Sequence, residues 1–184
     1  MKKILGIVGS PRRNGNTHLL VLEALQGAQE RGAEVECVLL GDLNIRECDG
    51  CHACWQGRHC PKQDDMSDLY PKIVASDALI FGTPVYWYGP TALMKALIDR
   101  FVYFNCPQNR PGIAGKSAAA IVPCEEGDPA AAALVVEFFR RCFAYLELNR
   151  AGELIVPGVT RKGEVAARAD RMTEARELGG RMAQ

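Results

Sequence analysis

Apolar positions along the chain follow two rhythms in turn. Lys3 to Val8 is a short, nearly continuous apolar run with β-branched content that stops at Gly-Ser-Pro, the signature of a buried strand. Leu19, Leu20, Leu22, Leu25 and Ala28 then recur at helical spacing, with Thr17 placed to open the helix and Gly32 to close it. Glu34 to Leu40 predicts a second strand, and 44–62 holds no sustained period and reads as a loop. Met66, Leu69 and Ile73 share one side of a helix over Asp65 to Ala75, and Ala78 to Gly82 is an all-apolar third strand. Pro90 suits the first turn of a helix striped by Ala92, Leu93, Ala96, Leu97 and Phe101. Ser117 to Pro123 predicts a fourth strand, Ala130 to Ala144 a fourth helix, Leu146 to Val156 a span holding a fifth strand, and Glu164 to Met182 a charged closing helix.

Five strands alternating with five helices through short connections define an α/β fold with a parallel sheet. In such sheets ligands gather beyond the carboxyl ends of the strands, where the least ordinary sequence of this chain also falls. At 184 residues the chain has the size of one domain (1–184) and needs no cross-links to bury a core. Equal numbers of basic and acidic residues, 22 of each, remove the basic excess typical of nucleic-acid binders. No run approaches the 18 or so apolar residues of a membrane span. The N-terminal apolar stretch is too short for a secretory signal, and the expected location is the cytoplasm. Eight cysteines, four of them between Cys48 and Cys60, then suggest metal or redox chemistry rather than a disulfide scaffold.

The loop after the first strand, Gly9-Ser10-Pro11-Arg12-Arg13-Asn14-Gly15-Asn16-Thr17, is rich in hydroxyls, amides and guanidinium groups. The helix that follows turns its free N–H groups and positive dipole end toward it, which makes an anion site. Neither a Walker A motif nor a G-x-G-x-x-G fingerprint is present; Gly115-Lys116-Ser117 only mimics a Walker ending and precedes a strand. The bland alternative is a polar connection with a good helix cap. After the third strand, Thr83-Pro84-Val85-Tyr86-Trp87-Tyr88-Gly89-Pro90 sets three aromatics between prolines, a stiff turn able to offer peptide groups and flat cover to a planar ring. Packing of those aromatics under a loop or in a subunit interface is the alternative.

These motifs, Gly9-Ser10-Pro11-Arg12-x-Asn14-Gly15-Asn16-Thr17 with Gly82-Thr83-Pro84-Val85-Tyr86-Trp87, continued by Lys95 and Asp99-Arg100, resemble the flavodoxin-like NAD(P)H-dependent FMN reductases. The resemblance is strongest over 1–101 and weak beyond about 125. It implies a three-layer flavodoxin-like sandwich around a five-stranded parallel sheet. It further implies that Ser10, Arg12, Asn14, Asn16 and Thr17 bind the FMN phosphate, and that Pro84, Val85, Tyr86 and Trp87 contact the isoalloxazine and ribityl chain. Cys124 and Glu125 stand where the family's third loop closes the site. That loop is usually glycine-rich, whereas Pro123-Cys124-Glu125-Glu126-Gly127-Asp128 carries three acids. Carboxylates there would disfavour an anionic reduced flavin and repel a phosphate-bearing donor, unless the turn is merely solvated.

Cys48-x2-Cys51-x2-Cys54-x5-Cys60-Pro61 has the spacing by which three thiolates wrap one corner of a cubane and a fourth completes it. It resembles the iron–sulfur flavoprotein branch of the same family, which implies all four as ligands of a [4Fe–4S] cluster. Zinc, with His52 or His59 as substitutes, and reduced thiols stand as the alternatives. Cys37, Cys106, Cys124 and Cys142 read as packing residues, and His18 as a solvated first-turn residue.

The function that follows is an FMN oxidoreductase. Its electrons would come from NAD(P)H or a ferredoxin-like small electron carrier and pass to a quinone, a flavin or another small-molecule acceptor. A non-catalytic one-electron carrier and a metal-binding sensory domain are the rival classes. The resemblance also implies a homodimer or homotetramer.

Overall fold

A computed structural model describes residues 1–184. Five parallel strands, β1 (Lys3–Val8), β2 (Glu34–Leu39), β3 (Ala78–Gly82), β4 (Ser117–Pro123) and β5 (Asn149–Val156), form one sheet in the order β2-β1-β3-β4-β5. That order is flavodoxin-like, and its reversal point lies between β1 and β3. Five helices cover it: α1 (Asn16–Gln29), α2 (Met66–Ala75), α3 (Ala92–Arg100), α4 (Ala133–Tyr145) and α5 (Ala169–Met182).

Side chains alternate across the sheet, so each strand feeds two cores. Leu5, Ile7, Leu79, Phe81, Ala118 and Val122 pack with Met66, Leu69, Met94, Leu97, Val135 and Phe139, under α2, α3 and α4. Ile4, Val8, Ile80, Ala119, Ile121 and Leu154 pack with Leu20, Val21, Ala24 and Leu178, under α1 and α5. Burial on both faces is why β1, β3 and β4 read as continuous apolar runs. The α1–α5 contact is close enough that a Cβ on Gly27 would lie 2.0 Å from the Arg176 carbonyl oxygen, and one on Gly179 would lie 1.7 Å from that of Ala24.

Several boundaries differ from the sequence reading. Pro90 lies before α3 rather than in its first turn, because Thr91 caps that helix by accepting the Met94 N–H at 3.2 Å. Pro129–Ala132 and Glu164–Ala167 are 3-10 turns, so α4 and α5 begin later. Leu146 and Leu148 belong to the turn before β5, where they fill the core.

Candidate functional site

The carboxyl ends of β1, β3, β4 and β5 surround one pocket, lined among others by Ser10, Arg12, Asn16, Thr17, Pro84, Val85, Tyr86, Cys124 and Glu125. Its floor is made by close approach. Gly9 donates its N–H to the Gly82 carbonyl at 2.7 Å, and a Cβ on Gly9 would sit 2.8 Å from that of Met94. Thr91 fastens the first loop to the aromatic one: its hydroxyl donates to the Gly9 carbonyl at 2.5 Å, and its N–H donates to Thr83 Oγ1 at 3.1 Å. Thr91 is buried and conveys no motif, and sequence reasoning missed it.

The pocket end beside α1 has the chemistry of an anion cradle. The N-cap is Gly15, without a capping side chain, so the first-turn N–H groups keep no side-chain partner. Thr17 is only 2% exposed, lines the pocket, and has no hydrogen bond to its hydroxyl within the protein. Ser10 Oγ accepts the Arg12 N–H at 3.2 Å and keeps its own proton for a ligand. Donors without acceptors at a helix N-terminus fit a phosphate ester.

Asn14 and Trp87 fall outside this pocket. Asn14 is left-handed (φ 54) and exposed, and its N–H is taken at 3.0 Å by His18 Nδ1. His18 is itself buried, not solvated as its position suggested. Burial, then the Arg13 charge, lowers its pKa against the opposing pull of Asp42. Tyr86 and Gly89 close a tight turn by paired backbone bonds, which puts Trp87 (φ 49) and Tyr88 (φ 60) in left-handed conformations. Trp87 is consequently 98% exposed.

On the third wall, burial and then Glu126 and Asp128 raise the pKa of Cys124 and keep it a thiol. Its Sγ lies 3.8 Å from the Glu126 carbonyl. Val159 and Thr160 complete the lining, and neither carries a motif.

Cys48, Cys51, Cys54 and Cys60 line a second, small pocket with Lys62, Tyr70 and Arg100. The spacing predicted four ligands of one cluster; the structure brings the four cysteines to one pocket but does not show the cluster site closed. No three His, Cys, Asp or Glu side chains meet in metal-binding geometry. The pocket the four cysteines share with eight other residues is small, about 20 Å³. As arranged, the thiols are not closed around a common centre. Arg100, which is 2% exposed, ties the two ends of the cysteine loop together. It pairs with buried Asp64 and donates to the Arg46 carbonyl at 2.9 Å and to Cys60 Sγ at 3.3 Å. Asp64 also accepts the N–H groups of Arg46 and Met66 at 3.0 and 3.2 Å. Burial pushes the Asp64 pKa up, but Arg100 and these N–H groups outweigh it and hold the carboxyl below its ordinary value.

Residues 2–152 match the family model described as NADPH-dependent FMN reductase, so the chain belongs to that family of oxidoreductases. An iron–sulfur flavoprotein of Methanocaldococcus jannaschii is 44% identical over 53% of this chain and 51% of its own length. One from Archaeoglobus fulgidus is 38% identical over 65% of this chain and 53% of its own. The chain thus spans about half the length of the curated relatives it matches. The solved NAD(P)H:quinone oxidoreductase of Methanothermobacter marburgensis superposes with a TM-score of 0.77 at 16% identity, covering 100% of this chain and 98% of that one, which establishes a shared fold. No helix is long and apolar enough to cross a membrane.

Proposed function

We propose that the pocket holds FMN non-covalently and that the protein passes electrons from NAD(P)H or a small electron carrier to a quinone, flavin or other small acceptor. The observation that carries this reading is the Thr17 hydroxyl, without a partner in the protein, on a pocket-lining residue at an uncapped helix N-terminus, joined by Thr91 to the proline-bounded aromatic loop. FMN, when bound, supplies the redox chemistry. Ser10, Thr17 and the first-turn N–H groups hold the phosphate, with the Arg12 charge nearby. Pro84, Val85 and Tyr86 give the ring a wall that needs no ordering on binding. Cys124 offers it an uncharged face, while Glu125 puts a carboxylate at the same end, which resists negative charge on the ring.

The cysteine loop belongs to the same proposal: it takes up a [4Fe–4S] cluster by re-forming around it. Four thiols on one pocket, the Gly50 N–H and the Arg100 guanidinium already aimed at sulfur, and relatives named iron–sulfur flavoproteins support this. The resemblance also implies self-association, for which the exposed Trp87 and Tyr88 offer a surface.

One sample tests the reading. Anaerobically purified protein should show flavin absorption bands with a broad shoulder from the cluster, with iron and sulfide assayed alongside. Flavin bands without iron would remove the cluster alone. A colourless protein that quenches no added FMN fluorescence would remove both. Steady NAD(P)H oxidation with a soluble acceptor separates an enzyme from a carrier.

A further inference from the structure

The anion cradle has a wall that none of the three loop motifs supplies. After β5 the chain returns over the N-terminus of α1, turning at Gly158 (φ +70) and Gly163 (φ +77). It is pinned from the α1 side three times. Arg12 Nη1 donates to the Thr160 carbonyl at 3.3 Å, Asn16 Nδ2 donates to the Arg161 carbonyl at 3.0 Å, and Asn16 Oδ1 accepts the Val165 N–H at 3.2 Å. From within the segment, the Glu164 carboxylate accepts the N–H groups of Thr160 and Arg161 at 2.9 and 2.8 Å. The Thr160 backbone is therefore held on both sides, by Glu164 at its N–H and by Arg12 at its carbonyl. Thr160 is an exposed residue that lines the pocket with Ser10 and Thr17, and its hydroxyl has no partner within the protein.

We infer that residues 157–165 form a fourth wall of the phosphate cradle, in which Thr160 presents its hydroxyl to the phosphate and Glu164 is the positioning residue that fixes it there. The inference rests on the FMN reading above and deepens it. It reassigns Asn16, both ends of whose amide are committed to the wall: it acts on the ligand by holding residues 161 and 165. The wall also lies past residue 152, where the family match ends. Discrimination between phosphorylated and unphosphorylated flavin thus depends on a stretch the family motifs do not specify.

The experiment titrates FMN and riboflavin into the flavin-free full chain and reads quenching of flavin fluorescence, with melting temperatures measured in parallel. A hydrogen bond to a charged group is worth about 1.5–3 kcal/mol, so Thr160→Val should weaken FMN by about tenfold or more while leaving riboflavin affinity unchanged. Glu164→Ala should narrow the same FMN-over-riboflavin preference, and Glu164→Gln, which keeps one carbonyl acceptor, should recover part of it. Equal losses for both flavins, or a preference unchanged in every variant, would overturn the wall. Unaltered variants beside a wild-type chain that binds FMN tightly would leave the FMN reading standing. A wild-type chain that binds neither flavin overturns both.

Discussion

His18 and Asn14 act as a pair. The imidazole accepts the Asn14 N–H and so holds the bend of the first loop, and it can do so only while neutral. Burial and Arg13 lower its pKa in the folded chain. The unfolded chain, with a histidine pKa of about 6.5, therefore binds a proton more readily. The stabilisation is complete above that value and is lost as pH falls through the lower folded pKa. Melting temperature measured from pH 7.5 downward should fall more steeply for wild type than for His18→Asn, starting below about pH 6.5; parallel curves would show that His18 takes no part. None of this was legible in the sequence, where a histidine in a first helical turn looks solvent-facing. Its burial depends on which way the loop bends. Trp87 is the converse case. Its aromatic character is plain in the sequence, but the Tyr86–Gly89 turn that throws it outward is a backbone event.

Elements were more legible than residues where their stabilisation is local. β1, β3 and β4 have the bounds their apolar runs predict, because strands covered on both faces need no partner pattern to announce them. The start of α3 was not legible, since Thr91 is recruited as a cap by contacts that reach back to Gly9. The wall at 157–165 was equally hidden, its bonds joining residues some 145 positions apart. The α1–α5 seam shows how geometry can reverse a propensity. Glycine to alanine inside a helix ordinarily gains about 1 kcal/mol. At Gly179 the added methyl would meet backbone, which cannot swing aside, and overpacking of this kind costs about 1–3 kcal/mol. Gly179→Ala should therefore lower the melting temperature by several degrees. Gly180→Ala, whose nearest contact is 3.5 Å, should hold or raise it. If both substitutions raise it, the helices are not fixed at this separation.

At the scale of the whole molecule, the two loops with chemistry are anchored differently. The first loop is fastened to the aromatic loop by uncharged bonds through Thr83, Thr91 and Gly9. The cysteine loop hangs on the Arg100–Asp64 pair, which joins its two ends to the last turn of α3. Removing one member of a buried pair strands the other charge and costs about 3–5 kcal/mol, whereas apolar replacement of both is close to neutral. Denaturant unfolding should show Arg100→Met strongly destabilised and Arg100→Met with Asp64→Leu largely restored; additive losses would mean that the pair is not coupled. Asp64, held below its ordinary pKa, contributes in full above about pH 4, and the contribution is lost as acidity carries it through the lower folded value.

The placement of the indoles has its own consequence. The chain has two tryptophans, Trp87 on the turn beside the cradle and Trp55 on the cysteine loop. Trp87 is almost wholly in solvent, while the Trp55 ring nitrogen donates to the Val102 carbonyl at 3.2 Å and the ring is half covered. Each loop thus carries its own native emitter in a distinct polarity, and single-tryptophan forms of the chain can follow events at one loop without a dye and without interference from the other.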